Sequence, residues 1–433
     1  MSGQGPEAGA KHDHAGPPPM PDGPSMNTMG DSRPLAGLRV VEVSSFVASP
    51  LCGLTLSQLG AEVIRIDPIG GAGDKNRWPV TEAGESIYWA GLNRGKRSVT
   101  CDLRSPEGRG LVQRLITAPG EGGGILVTNA GGRNWMSHQT LSALRPDVIT
   151  LQILGKRDGG AAVDYTVNAA TGFPLITGSP THDGPANHVL PAWDVACGLY
   201  AALAIAAAVR KREATGQGAA IDLPLSDVAL AVAGHLSYLT EVQINGVERE
   251  ATGNAVYGTY GKDFRTSDGA RFMVVVLTPR HMRDLVRVTE RVEVVAALES
   301  SLGVDFSADA DRYRYRELLD AVFATWFTEH TAAEVEAALS GTSVLFDRYR
   351  GFAEIVAGGE LADNPLFTPL EQPRIGTYLA AGLPATFDGR HLSTGPAPAL
   401  GADGPEVLRD LLGVPREEID ELIEGGHLGA PAR

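Results

Sequence analysis

Two aspartates carry the most chemistry in this sequence. Asp194 sits in "NHVLPAWDVACGLYAALAIAAAVRKREATGQG", directly ahead of a long run of small and apolar residues, and Asp164 lies upstream in "AAVDYTVN" beside Tyr165. A carboxylate can attack a carbonyl carbon and carry a group covalently, which divides one hard exchange into easier steps. A second carboxylate can orient a substrate or shuttle a proton. Asp194 also suits a plainer task, since Asp is a favoured helix N-cap, and at a helix start the positive end of the dipole favours its ionised form. Asp164 in its turn reads equally as a solvated turn residue. The cations gather elsewhere. "NRGKRSVTCDLR" places Arg94, Lys96, Arg97 and Arg104 close together, with Gly95 allowing close backbone approach. Such a patch grips phosphates, or is simply a solvated charged loop. "GKRDGG" adds Lys156 and Arg157, with His188 further along, as cations for a second carboxylate on a substrate. "GNAVYGTYGKDF" is a glycine-punctuated loop with Tyr257 and Tyr260, suited to a lid or to an ordinary hairpin.

These residues need a scaffold, and the apolar pattern supplies one. "LRVVEVS" reads as a strand, "SPLCGLTLSQLG" as a helix closed by Gly60, and "AEVIRIDP" as a second strand, the alternation that builds a parallel sheet. "RSVTCDL", "GGILVTN" and "DVITLQI" continue as strands, and "SPEGRGLVQRLI" as a helix capped by Ser105 with Pro106 at its first position. The expected fold is α/β: a Rossmann-type large domain with a parallel sheet, plus a smaller α+β domain. No GxGxxG follows the first strand, so a dinucleotide fingerprint is absent and a nicotinamide cofactor is disfavoured. The chain divides into a disordered leader over 1–32, the first part of the large domain over 33–249, the small domain over 250–345, and a return segment with terminal helices over 346–433. Within the small domain, Asp268-Gly269 marks a turn between strands, and helices are expected over 279–299 and 313–340.

Composition narrows the partners. The 433 residues are 43% hydrophobic and 21% charged, with 37 basic against 52 acidic side chains and a net charge of −15. That balance disfavours nucleic acid and anionic membranes, so a polyanionic small ligand needs a local basic patch. The longest apolar stretch, 195–209, is shorter than the roughly 20 residues of a membrane span and runs on into "RKRE", so it reads as a core helix. Cys52, Cys101 and Cys197 are scattered and odd in number, which gives no disulfide framework and no metal-ligand spacing. Buried thiols in a reducing cytoplasm are the expectation. The leader, rich in Gly and Pro, contains His12 and His14 and two alternative start methionines, Met26 and Met29.

Taken in order, "PLAGLRVVEVS", "LGAEVIRID", "NRGKRSVTCDLRSPEGRGLV", "VTN", "LPAWDVACGLYAALAIAAAVRKREATGQG", "RTSDGARFMVVV" and "APALGADGPEVLRDLLG" resemble the family III CoA-transferases from Pro34 to Leu428. The resemblance implies an acyl-CoA substrate, an interlocked homodimer, and no metal, redox group or permanently bound cofactor. It implies that Asp194 is the nucleophile, attacking the thioester carbonyl and then carrying CoA as an aspartyl thioester, with Asp164 as an accessory acid near the reacting carbonyl. Arg94, Lys96, Arg97, Asp102, Leu103, Arg104, Asn129 and Arg133 would serve the CoA groove, and Val47 and Ala48 would lie beside the thioester. The tyrosine loop falls where some members carry a polyglycine flap. Two departures stand out. Pro68 replaces an arginine found in formyl-CoA transferase, with Arg65 a weak substitute, and Val163 replaces the histidine base of the racemases, so racemisation is not expected. The closest likeness within the family implies transfer of CoA between the C1 and C4 carboxyls of one mesaconate molecule. The alternatives are transfer from a donor such as succinyl-CoA to free dicarboxylate, and CoA binding without catalysis.

Overall fold

In the computed structural model residues 33–131 and 133–431 are described; the leader expected over 1–32, with its two histidines, lies outside them. Six strands form the central sheet: β1 (Arg39–Val43), β2 (Glu62–Pro68), β3 (Arg97–Cys101), β4 (Ile125–Thr128), β5 (Ile149–Leu154) and β6 (Ala219–Pro224). Their order is β3-β2-β1-β4-β5-β6, and every pairing is parallel. Successive residues face opposite sides. Val40, Val63, Ile125 and Val127 join one apolar core, while Val41, Val43, Ile64, Ile66 and Leu126 join the other. Burial on both faces is why these strands read as continuous apolar runs.

Helices supply the two covers. They are α1 (Ala48–Gln58), α2 (Ile87–Leu92), α3 (Pro106–Ile116), α4 (His138–Leu144), α5 (Asp164–Ala169), α6 (Phe173–Ile176), α7 (Ala192–Thr215), α8 (Leu225–His235) and α9 (Tyr238–Asn245). α1, α7 and α8 pack on one face, and α3 with the terminal helices at Gly404–Leu412 and Arg416–Glu424 on the other. Ser105 caps α3 by accepting from the Gly108 amide. The chain's far end is stitched back onto the sheet edge: the Ser98 amide donates to Asp403 Oδ2, and the Gly429 amide to the Thr100 carbonyl. Cys52, Cys101 and Cys197 are all buried free thiols.

A separate antiparallel sheet, β7 (Tyr260–Arg265), β8 (Arg271–Val276) and β9 (Leu345–Arg348), has its own core with the helices between residues 279 and 340. Two stretches expected as single helices, 279–299 and 313–340, are each broken. Glu290 stands at φ 58° between Pro279–Val288 and Val292–Leu302, and Thr331 opens Ala332–Ser340 through a capping box with Glu334. α7 packs as the core helix expected, but it is longer than the apolar run 195–209. It spans 24 residues, long and apolar enough by length and composition to cross a bilayer, yet it lies against α1 and the sheet.

The strand order sets where a ligand can bind. The chain turns in opposite directions from β1 and β4, and in open α/β sheets such a switch point opens a crevice beyond the carboxyl ends of the strands. The start of α1, directly after β1, is also pressed against α7. A methyl group on Gly198 would fall 2.7 Å from the Ala48 carbonyl oxygen and 3.1 Å from Leu51 Cβ. Gly198→Ala is expected to cost about 1–3 kcal/mol by overpacking, read as a lower urea midpoint. Gly110→Ala, in α3 with open space around it, is expected to be neutral or stabilising by about 0.5–1 kcal/mol.

Candidate active site

Asp194 occupies the third position of α7, whose N-cap is Pro191 without a side-chain cap. The capping is done from another helix. Asp164, at the start of α5 and 2% exposed, accepts through Oδ2 from the Trp193 amide at 2.7 Å and the Asp194 amide at 3.1 Å. Trp193 Nε1 donates to Asn168 Oδ1 on α5, and the Tyr165 hydroxyl donates to the Val189 carbonyl, so α5 holds the whole entry to α7. The capping task considered for Asp194 therefore falls to Asp164. The Asp194 carboxylate, half-buried, makes no hydrogen bond or ion pair among the described residues. Burial, reinforced by the Asp164 charge and opposed in part by Arg77, pushes its carboxyl up to about 6. Desolvation thus outweighs the helix dipole, expected to favour its ionised form, although a carboxyl near 6 is still mostly ionised at neutral pH.

The β1 loop leads into α1, which meets α7 on the face that carries this carboxylate. Val47 is the N-cap of α1 and Ala48 its first residue, and the close approach at Gly198 places them one helical turn from Asp194. Asn129, after β4, clamps the loop by exchanging two bonds with Ser45, accepting from its amide at 3.1 Å and donating to its carbonyl at 2.8 Å. Phe46 takes φ 66°, and its amide donates to Asp74 Oδ2 at 2.9 Å. Over the Phe46 ring, at 5.6 Å, stands the Arg77 guanidinium, which also lies 5.2 Å from the Tyr88 ring centroid. Sequence reasoning passed over Arg77 because "GDKNRWPVT" has no periodicity and no partner nearby in the chain. His188 is close to the Trp193 ring, and neither of its ring nitrogens has a hydrogen-bond partner among the described residues.

The expected cationic patch divides. Lys96 is enclosed beneath the β1 loop, where Nζ bonds Glu42 Oε1 at 3.0 Å, Asn93 Oδ1 at 3.0 Å and the Pro50 carbonyl at 2.9 Å. Arg65 is equally enclosed, so it is no substitute for the missing arginine at Pro68. Arg94 donates to the Ala381 carbonyl and anchors the return segment. Arg97, at the amino end of β3, pairs with Glu62, Glu406 and Asp410. Arg104 alone of the four opens onto a groove of about 1180 Å³, which it lines with Asp102, Leu103, Arg109 and Arg133. Arg109 is a groove residue that motif reading missed. Pro68 lines the same groove.

The remaining expectations scatter. Lys156 is exposed, and Arg157 is paired with Asp227 on α8 rather than facing Asp194. Tyr260 is no lid residue: it is fully buried in β7 with its hydroxyl donating to Asp320. Tyr257 is partly exposed and stacks on Arg249, which Glu241 of α9 also holds. Among the described residues no three His, Cys, Asp or Glu side chains gather as a metal site.

The fold as a whole matches that of a CaiB/BaiF family protein from Brucella suis, with a TM-score of 0.72 at 25% identity over 88% of this chain and 99% of that one. The description "CoA-transferase family III" matches residues 35–404. The sequence is 45% identical to 2-methylfumaryl-CoA isomerase of Chloroflexus aurantiacus over 92% of this chain and 98% of that protein. It is 27% identical to succinyl-CoA–D-citramalate CoA-transferase of the same organism, again over 92% and 98%. The chain belongs to CoA-transferase family III, a family of enzymes.

The raised carboxyl has a stability consequence. A folded-state value of about 6 against the ordinary 3.8 means the native protein binds this proton more tightly than the unfolded chain. That contribution is complete below about pH 4 and lost as pH rises through 6. Asp194→Asn is therefore expected to be more stable than the parent by on the order of 1–2 kcal/mol at pH 8, with the gain shrinking as pH falls from 6 towards 4. Urea titrations of both proteins at pH 8 and 4.5 check this, and an equal gain at both would show that charge is not the cause.

Proposed function

We propose that this enzyme moves CoA within one molecule, converting 2-methylfumaryl-CoA into 3-methylfumaryl-CoA by way of Asp194. The observation that carries the reading is the Asp194 carboxylate: half-buried, free of protein partners, and relieved of capping by Asp164. The 45% likeness to an isomerase along nearly the whole chain supports the substrate.

The chemistry closes on itself. The Asp194 carboxylate attacks the thioester carbonyl, forming a mixed anhydride and expelling CoA thiolate. The thiolate attacks the aspartyl carbonyl of that anhydride, giving an aspartyl-CoA thioester and the free diacid. The diacid's other carboxylate then attacks the aspartyl thioester, again releasing thiolate. The thiolate takes the substrate acyl group from this second anhydride and restores the Asp194 carboxylate. No proton or electron is gained or lost over the cycle. A carboxyl near 6 stays mostly ionised at neutral pH while being more basic than an ordinary aspartate, which favours nucleophilic attack. The groove of Arg104, Arg109 and Arg133 is assigned to the phosphates of CoA, with Val47 and Ala48 beside the thioester. Leu199, Tyr200 and Leu203 on α7, and Ile244 on α9, expose an apolar surface that an interlocked homodimer would cover.

Incubating the protein with 2-methylfumaryl-CoA and excess isotope-labelled mesaconate tests the reaction. The expected result is the C4 thioester without label, and no turnover by Asp194→Ala. Label in the product would instead make it an intermolecular transferase, like the citramalate enzyme it resembles at 27% identity. For the groove, Arg133→Ala is expected to weaken CoA binding about three- to tenfold, and by less at high salt, as measured by calorimetry. Light scattering is expected to give twice the chain mass.

A further inference from the structure

Among the described residues, the side chain of Arg77, which is exposed, and the enclosed Tyr88 hydroxyl have no polar partner, and the charges of both Arg77 and Asp194 act on that hydroxyl. The Arg77 guanidinium lies 5.6 Å from the Phe46 ring centroid and 5.2 Å from that of Tyr88, and its side chain makes no hydrogen bond or ion pair among the described residues. Cation–π contacts with the two rings use none of its five N–H donors, which form a planar fork. A buried hydroxyl without a partner carries a desolvation cost that a ligand can offset by bonding to it. Arg77 and the Phe46 ring beside it have built supports. Ser86 Oγ donates to the Arg77 carbonyl at 2.6 Å, and Asp74, fixed by Arg65, holds the amide of Phe46.

We propose that Arg77, assisted by the Tyr88 hydroxyl, is the receptor for the substrate's free carboxylate. The inference rests on the reading of Asp194 as the carrier of CoA. A guanidinium edge matches a carboxylate bidentately. The groove arginines stand on a different set of residues, Arg104 and Arg133 with Asp102 and Leu103, and Arg77 is not part of that lining. Of the groups expected for this task, Lys156 is exposed, Arg157 is paired with Asp227, and His188 stands against the Trp193 ring. Arg77 acts on the Asp194 carboxyl without forming an ion pair with it, so its donors remain available to a ligand. The substrate class follows: the monothioester of a short dicarboxylic acid. Each regioisomer presents one thioester and one free carboxylate, and the receptor holds the free end while the thioester meets Asp194. During the aspartyl-CoA stage it holds one end of the diacid, so that the same molecule takes CoA back.

The test compares the wild type with Arg77→Gln, Arg77→Lys and Tyr88→Phe. Turnover of the dicarboxylic thioester gives KM for each protein. Inhibition by methacrylyl-CoA, which lacks the second carboxylate, gives the affinity for a monocarboxylic thioester, and uptake of labelled mesaconate reports escape of the diacid. Arg77→Gln is expected to raise KM about tenfold or more, to leave methacrylyl-CoA inhibition within about twofold, and to admit label into the product. Arg77→Lys should recover part of the KM loss, and Tyr88→Phe should show a smaller rise of the same kind. An unchanged KM in Arg77→Gln, or equal weakening toward both thioesters, overturns the proposal. If the wild type fails to isomerise the thioester, the reading of the reaction fails by itself. Calorimetry with the two thioesters then decides the receptor separately: loss in Arg77→Gln of a wild-type preference for the dicarboxylic thioester supports it, and any other result sinks it.

Discussion

The site depends on a knot of buried charge under the β1 loop. Arg65, 1% exposed, bonds both oxygens of Asp67, reaches Asp74 at 3.0 Å and donates to Asn93 Oδ1 at 3.0 Å. Lys96 bonds Glu42 and the same Asn93 oxygen. Burial pulls Lys96 down and pushes Asp67 up, and in each case the opposite charge alongside resists the shift. Removing one partner of such a set leaves an uncompensated charge, typically worth about 3–5 kcal/mol. The knot has a position as well as an energy. Asp74 bonds both Arg65 and the Phe46 amide, and Arg65 also donates to the Ser44 carbonyl. The loop ahead of α1 is thereby fixed from below, and with it the Phe46 ring under Arg77.

A second division of labour runs between the two aspartates. A helix start near a negative charge is ordinarily favourable, and an aspartate there would normally take the first amides for itself. Asp164 takes them instead, from another helix, and its charge adds to the burial that raises the Asp194 carboxyl. The arrangement trades stability for a carboxylate with open lone pairs. Asn168 and Trp193 make it rigid, since the indole Nε1 bonds Asn168 Oδ1 and ties the two helices at a second point.

The parallel sheet was legible because its strands are short apolar runs bounded by helix caps, and burial on both faces leaves that mark on a sequence. Asp194 was legible as a residue of interest from its place before the α7 run. What could not be read was which charges turn inward. Lys96 stands in a run of cations, and nothing local reveals that its partner Glu42 arrives from β1. Arg94 and Arg97 likewise meet partners far along the chain, Ala381 and Glu406. Tyr260 looked like a loop residue because the glycines around it hid the start of β7. Arg77 lies in an irregular segment, where its neighbours Phe46 and Tyr88 come from separate parts of the chain.

The net charge of −15 sets the last constraint. An acyl-CoA with a second carboxylate is anionic at both ends, and a strongly acidic protein repels it at long range. Over distances beyond about 8 Å salt screens that repulsion, so local cations govern capture. The fold keeps two such stations apart: the arginines of the large groove, and the single guanidinium of Arg77 on its aromatic platform. The first suits diphosphate chemistry, where many donors and wide access matter. The second suits one planar carboxylate held in a fixed direction relative to Asp194. With Arg77 as the receptor, an acid lacking the second anion would meet only the first station, and discrimination between mono- and dicarboxylic thioesters would belong to the β1 loop and the knot beneath it.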